Sequence, residues 1–141
     1  MILVDSNILI DLFSNDRQWM KWSRDRLAEC GTDDQLAINQ IVVAEVAPQF
    51  AQLQDFLDWI ATFNLSLLKL DLESAYCGGS AFNAHRERRR ASPETGKSII
   101  ADFLIGGQAM TLGAAILTRD PRFYRTYFPT VPLISPEKTT P

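Results

Sequence analysis

Five short apolar runs, Ile2-Leu3-Val4, QLAIN (35–39), LSLLKL (65–70), AAILT (114–118) and VPLI (131–134), recur along the chain, most of them parted by stretches with apolar residues at helical spacing. Strands that alternate with helices predict an α/β fold, a parallel sheet covered on both faces. The intervening stretches supply the helices. ILIDLF follows the capping residues Asp5-Ser6-Asn7, Arg17 to Cys30 ends at Gly31, and QIVVAEVA runs up to Pro48. Leu53 to Asn64 carries Phe56, Leu57, Ile60 and Phe63 on one face, Asp71 to about Ala91 is a helix weakened by Gly78-Gly79, and Ser98 to about Leu112 stops before Gly113. SPETGK reads as a loop, Arg119-Asp120-Pro121 as a turn, and PEKTTP as a disordered tail. With 141 residues, 46% of them hydrophobic, one core can be filled without staples. The expectation is a single domain over residues 1–135 with a flexible tail at 136–141.

Cys30 and Cys77 are far apart, form no CxxC pattern and have only His85 to assist them, which argues against a disulfide framework and a zinc site. No apolar run approaches the ~18 to 20 residues of a membrane span and no leader precedes Asp5, so no membrane partner and a cytoplasmic location are expected. A net charge of −3 argues weakly against nucleic acid, but ten of the fourteen basic residues are arginines. HRERRRASPETGK gathers Arg86, Arg88, Arg89, Arg90 and Lys97, which suits either a solvated helix face or a patch that tracks phosphates.

Four acids occupy odd places. Asp5 and Asp120 each follow an apolar strand, at the carboxyl-end edge where parallel sheets hold their ligands. Glu45 and Asp102 are embedded in the apolar helices IVVAEVA and IIADFLIGG. A buried carboxylate needs a partner or a proton. Singly, Asp5 reads as a helix cap, Asp102 as a residue favoured by its helix dipole and Asp120 as an Asp-Pro turn. Arginines or a metal ion are the conceivable partners. Four converging carboxylates would repel one another unless a hard divalent cation neutralised them, and oxygen-only ligation points to Mg²⁺ or Mn²⁺. Such an ion keeps waters, so it supplies a hydroxide-like nucleophile and steadies phosphoryl charge, which suits phosphoester hydrolysis.

Asp5 in LVDSNILID, Glu45 after the second strand, Asp102 in ADFLIGGQA and Asp120 in ILTRD, in that order and spacing, resemble the PIN-domain nucleases, and among them the VapC toxins of toxin-antitoxin pairs. The resemblance covers Ile2 to about Ile134. It implies a three-layer α/β/α sandwich, Mg²⁺-dependent endoribonuclease activity on RNA, an inhibitory antitoxin partner and a homodimer. It also implies that Asp5, Glu45, Asp102 and Asp120 form the catalytic metal site, with Ser6, Asn7 and Thr118 as polar support. One departure stands out: many relatives carry a proline shortly before the third acid, where this chain reads Ser98-Ile99-Ile100-Ala101.

Trp19 and Trp22 read as core residues or as part of an antitoxin groove, His85 as a surface residue, and Asp11 as exposed and outside the site. Arg119, Arg122 and Arg125 suit substrate phosphates or solvent equally. The rival reading is a binding module that kept the fold and lost catalysis. A phosphoacceptor receiver domain is disfavoured, because Asp5 is followed by Ser6 rather than a second acid.

Overall fold

The computed structural model describes residues 1–91 and 100–136, with the side chains of 89–91 excepted. The expected SPETGK loop, the helix start at Ser98 and the tail beyond Pro136 lie outside the described residues, as does most of the arginine-rich cluster's far end. Strands β1 (Ile2–Val4), β2 (Leu36–Asn39), β3 (Ser66–Leu68), β4 (Ala115–Leu117) and β5 (Leu133–Ile134) form one sheet in the order β3-β2-β1-β4-β5. All four pairings are parallel. Helices α1 (Ser6–Ser14), α2 (Met20–Asp33), α3 (Gln40–Val46), α4 (Leu53–Ala61), α5 (Leu72–Ala91), α6 (Ile100–Leu112) and α7 (Arg122–Tyr127) flank it. This is the expected α/β/α sandwich. No helix among the described residues is long and apolar enough to cross a membrane.

The central strands are apolar on both faces because both are covered. Leu3, Val4, Ile38, Ile116 and Leu117 are buried against Ile8, Leu9, Val42, Phe103 and Ile105 from the helices. Sharp strand-to-helix turns carry the chain off the sheet edge. At the end of β2, Asn39 Oδ1 accepts from the Ile41 and Val42 amides at 3.0 and 3.1 Å, which caps α3 and fixes where Glu45 emerges. Gly113 closes α6 in the left-handed region, φ 62°, as its position after Leu112 predicts.

Two local expectations need correction. Gly31 does not end α2, which runs on to Asp33; the glycine instead lies against Leu36, whose side chain a Cβ would approach to 3.2 Å. The Arg119-Asp120-Pro121 turn leads into α7, a helix the sequence reading lacks. Gly78-Gly79 lies within α5, which runs as one helix over Leu72–Ala91 as expected. Gly78 is there for close approach: a Cβ on it would stand 2.5 Å from the Phe103 carbonyl oxygen, and one on Gly107 would stand 2.6 Å from the Gly78 nitrogen. The backbones of α5 and α6 therefore meet through paired glycines.

Gly79 meets nothing within 4 Å. The two neighbours should therefore respond oppositely to alanine. Gly78→Ala is expected to lower stability in urea unfolding by about 2 kcal/mol through overpacking. Gly79→Ala is expected to leave stability unchanged or raise it by up to about 1 kcal/mol through helix propensity.

Candidate active site

β1 and β4 lie side by side and end at the same edge, with Leu3 opposite Ile116 and Val4 opposite Leu117. Asp5 and Thr118 are thus the first residues past neighbouring strands. Asp5 stands where a helix cap would, but its side chain makes no cap hydrogen bond to α1. Its Oδ2 instead accepts from Thr118 Oγ1 at 2.8 Å, Tyr124 OH at 3.0 Å and Asn7 Nδ2 at 3.4 Å. Oδ1 has only a long contact from Ser6 Oγ, 3.4 Å.

The Thr118 hydroxyl is oriented by what it accepts. Asn7 Nδ2 donates to it at 3.2 Å and the Asp120 amide at 3.1 Å, so its own proton is aimed at Asp5. Asn7 Oδ1 in turn accepts from the Arg119 amide at 3.2 Å. Ser6, Asn7 and Thr118 are therefore arranged around one carboxylate. Burial still outweighs these donors and pushes Asp5 above the ordinary carboxylate range. The Tyr124 phenol is held well above its usual value by burial and by the facing Asp5.

Glu45 sits in the last turn of α3, half-buried, and its Oε1 is buried with no hydrogen-bond partner among the described residues. Burial raises its pKa, the Ser6 hydroxyl partly offsets this, and the Asp5 charge adds to the rise. Asp102, in the first turn of α6, is pushed up to about 7, first by burial and then by the charges of Asp5, Glu45 and Asp120. No basic group is among the causes. The charges of the other three acids thus bear on Asp102, and that of Asp5 on Glu45. Asp120 stands at the rim, its side chain 65% exposed, with Arg122 Nε at 3.8 Å from Oδ1.

Several surrounding residues differ from expectation. Asp11 is buried, 1% exposed, and Arg119 grips it through Nε and Nη2, both at 2.9 Å. Ser23 Oγ donates to the same carboxylate at 2.7 Å, and the Arg119 guanidinium lies 5.7 Å over the Trp19 ring. Arg119 is therefore a clamp on the loop bearing Asp120, not a free phosphate contact. The reason is tertiary: the partners are 108 residues apart. His85 is not a plain surface residue. It hydrogen-bonds through Nδ1 with the Tyr127 hydroxyl and stacks near Phe103 and Tyr127. Trp22 packs on the core, as read, edge-on to Trp19 at 6.2 Å. Tyr124 is the site residue that sequence reasoning missed; its only signal is its place four residues past Asp120.

The donor set is all oxygen, with an orphaned Glu45 Oε1 and a carboxyl group surrounded by like charge, which fits a hard divalent cation. The side chains are not drawn tightly together beforehand: among the described residues no group of three or more His, Cys, Asp or Glu forms a ready ligand cluster.

A family model described as PIN domain matches residues 2–129. No curated protein sequence matches the chain. Among solved structures, VapBC2 from Rickettsia felis bound to a DNA fragment from its promoter is 17% identical with TM-score 0.67, covering 97% of this chain and 100% of that one. A toxin-antitoxin complex from Klebsiella pneumoniae is 22% identical with TM-score 0.65, covering 97% and 98%. VapBC-1 from nontypeable Haemophilus influenzae is 20% identical with TM-score 0.67, covering 96% and 98%. At these identities the likeness is one of fold.

Two outcomes follow from the electrostatics. The folded chain holds the Asp102 proton to about pH 7, while the unfolded chain releases it near 3.8. The folded state binds more protons in that window, so stability falls as pH rises through it. After discounting for solvent screening, the loss is about 2 kcal/mol, and thermal unfolding of Asp102→Asn should show a flatter pH profile than wild type. Arg119→Ala leaves Asp11 buried without its cation and is expected to cost about 3 kcal/mol in urea unfolding.

Proposed function

The chain belongs to the PIN-domain family, and from that premise we propose that it is a Mg²⁺-dependent endoribonuclease, the toxin of a toxin-antitoxin pair. One observation carries the reading: burial and the charges of Asp5, Glu45 and Asp120, acids from three other segments, push the Asp102 carboxyl up to about 7. Asp5, Glu45, Asp102 and Asp120 would hold the ion, with Mn²⁺ able to replace Mg²⁺. A bound divalent ion supplies an acidified water and screens charge on the phosphoryl group.

The chain's own residues prepare the rest. Thr118 and Tyr124 donate to Asp5 Oδ2, while Oδ1 has a long contact from Ser6 Oγ. Glu45 offers an unpartnered oxygen. Asp102, whose carboxyl is pushed up to about 7, would give up its proton to hold the ion. The Asp11–Arg119 pair holds the loop that presents Asp120.

The solved relatives named above as VapBC and toxin-antitoxin complexes support a partner antitoxin for this chain. We extend the reading to a single PIN-like domain over residues 1–135 that acts on RNA in the cytoplasm and pairs with a second copy. Exposed Leu72, Tyr76 and Met110 on α5 and α6 offer apolar surface for that pairing. A binding module without catalysis is disfavoured, because such a module gains nothing from carboxylates held against their own repulsion.

The direct test is cleavage of RNA by the purified chain. Activity is expected with Mg²⁺ and not with chelator, and Asp5→Asn or Asp102→Asn should lower the rate at least about a hundredfold with the fold intact by circular dichroism. Undiminished cleavage in either variant refutes the reading. Tight binding of a small partner with no metal-dependent cleavage supports the binding module instead.

A further inference from the structure

A cleft of about 600 Å³ opens beside β5, on the far side of β4 from Asp5. Trp22 and Arg26 of α2, Arg125 of α7, and Leu133, Ile134 and Ser135 form its walls. Its volume is that of an ordinary ligand cleft. We propose that this cleft binds the single-stranded RNA segment adjoining the bond to be cut, with Arg26 and Arg125 on phosphates and Trp22 against a base. The inference rests on the ribonuclease reading above and names the substrate strand's path away from that site.

Position is the first support. The Ile134 carbonyl accepts from the Thr118 amide at 3.0 Å, so the cleft wall is joined directly to the residue that orients Asp5. One strand spacing, ~4.8 Å, separates β5 from β4. Arg125 directly follows Tyr124, whose hydroxyl reaches Asp5, and Trp22 abuts Trp19 under Arg119. These bonds tie the cleft wall to the residues around Asp5.

Chemistry is the second. The chain has a net charge of −3, yet among the described residues the cleft wall carries two guanidinium groups and no carboxylate. Arginine beside an indole ring suits a polyanion with flat bases, through phosphate hydrogen bonds and base stacking. Arg26 is paired with Glu29 at 2.6 Å, but both side chains are exposed, so solvent screens the pair and phosphate can displace it. Arg119 cannot take this part, being locked to Asp11. An apolar partner helix fits poorly, since Leu133 and Ile134 already pack on the core and leave no row of helix anchors.

The experiment is fluorescence anisotropy of a labelled single-stranded RNA of mixed sequence, titrated at several salt concentrations with the cleavage-silent Asp5→Asn chain and with that chain carrying Arg125→Ala, Arg26→Ala or both. Each arginine removed is expected to weaken binding several-fold and to reduce the steepness of log K against log salt by about 0.7 to 1, with the unfolding midpoint unchanged. In the active chain, Arg125→Ala should raise KM and leave kcat unaltered. RNA binding with the same affinity and salt slope in the double variant overturns the inference and leaves the ribonuclease reading standing. Loss confined to a protein partner overturns it in favour of a protein-binding cleft, and a parent chain that neither binds nor cuts RNA overturns both.

Discussion

Asp5 is the group around which the site is organised. A carboxylate placed at the end of a central apolar strand, 5% exposed, is costly unless its oxygens are satisfied. Thr118 and Tyr124 from distant parts of the chain, with Asn7 nearby, satisfy one oxygen, and that requirement fixes several elements at once. β4 must run beside β1 to bring Thr118 into reach, and α7 must turn back so that Tyr124 enters the core. The remaining oxygen has a long contact from the Ser6 hydroxyl, and the Asp5 charge bears on Glu45 and Asp102. The fold thus holds Asp5 by hydrogen bonds while its charge bears on the neighbouring acids Glu45 and Asp102.

The Asp11–Arg119 pair does for the rim what Thr118 does for the centre. A bidentate guanidinium-carboxylate pair, with Ser23 on the same carboxylate and Trp19 beneath the guanidinium, joins α1 and α2 to the loop after β4. A rim acid such as Asp120 would otherwise sit on a loop free to drift. The same pair takes one arginine out of the substrate's reach and leaves Arg125 and Arg26 facing the cleft beside β5. Exposure and restraint therefore divide the arginines by role.

The sheet was legible in the sequence because each strand is an apolar run bounded by breakers, a pattern that survives any tertiary context. The order of the four acids was legible for a related reason: carboxylates among apolar residues stand out against their surroundings. Long-range partnership was not legible. Asp11 lies on a helix with no adjacent cation and was read as exposed, although its arginine waits 108 residues on. Tyr124, in a six-residue helix, looks like any core aromatic until its hydroxyl is seen to reach Asp5. One glycine misled in the same way. Gly31 reads as a helix end, whereas α2 runs past it to Asp33 and the glycine lies against the Leu36 side chain. Sequence spacing reports local conformation well and contact across the fold poorly.

The central claim is that the repulsion among these acids is relieved by a hard cation, and the coupling between cation and proton tests it most directly. Mg²⁺ should be titrated into the chain by calorimetry near pH 6.5 in two buffers of different ionisation heat, for wild type and Asp102→Asn. The account predicts saturable binding by wild type with release of a substantial fraction of one proton, and loss of that release in Asp102→Asn, because the raised Asp102 carboxyl must ionise to meet the ion. Binding without proton release, or no binding at all, would contradict it.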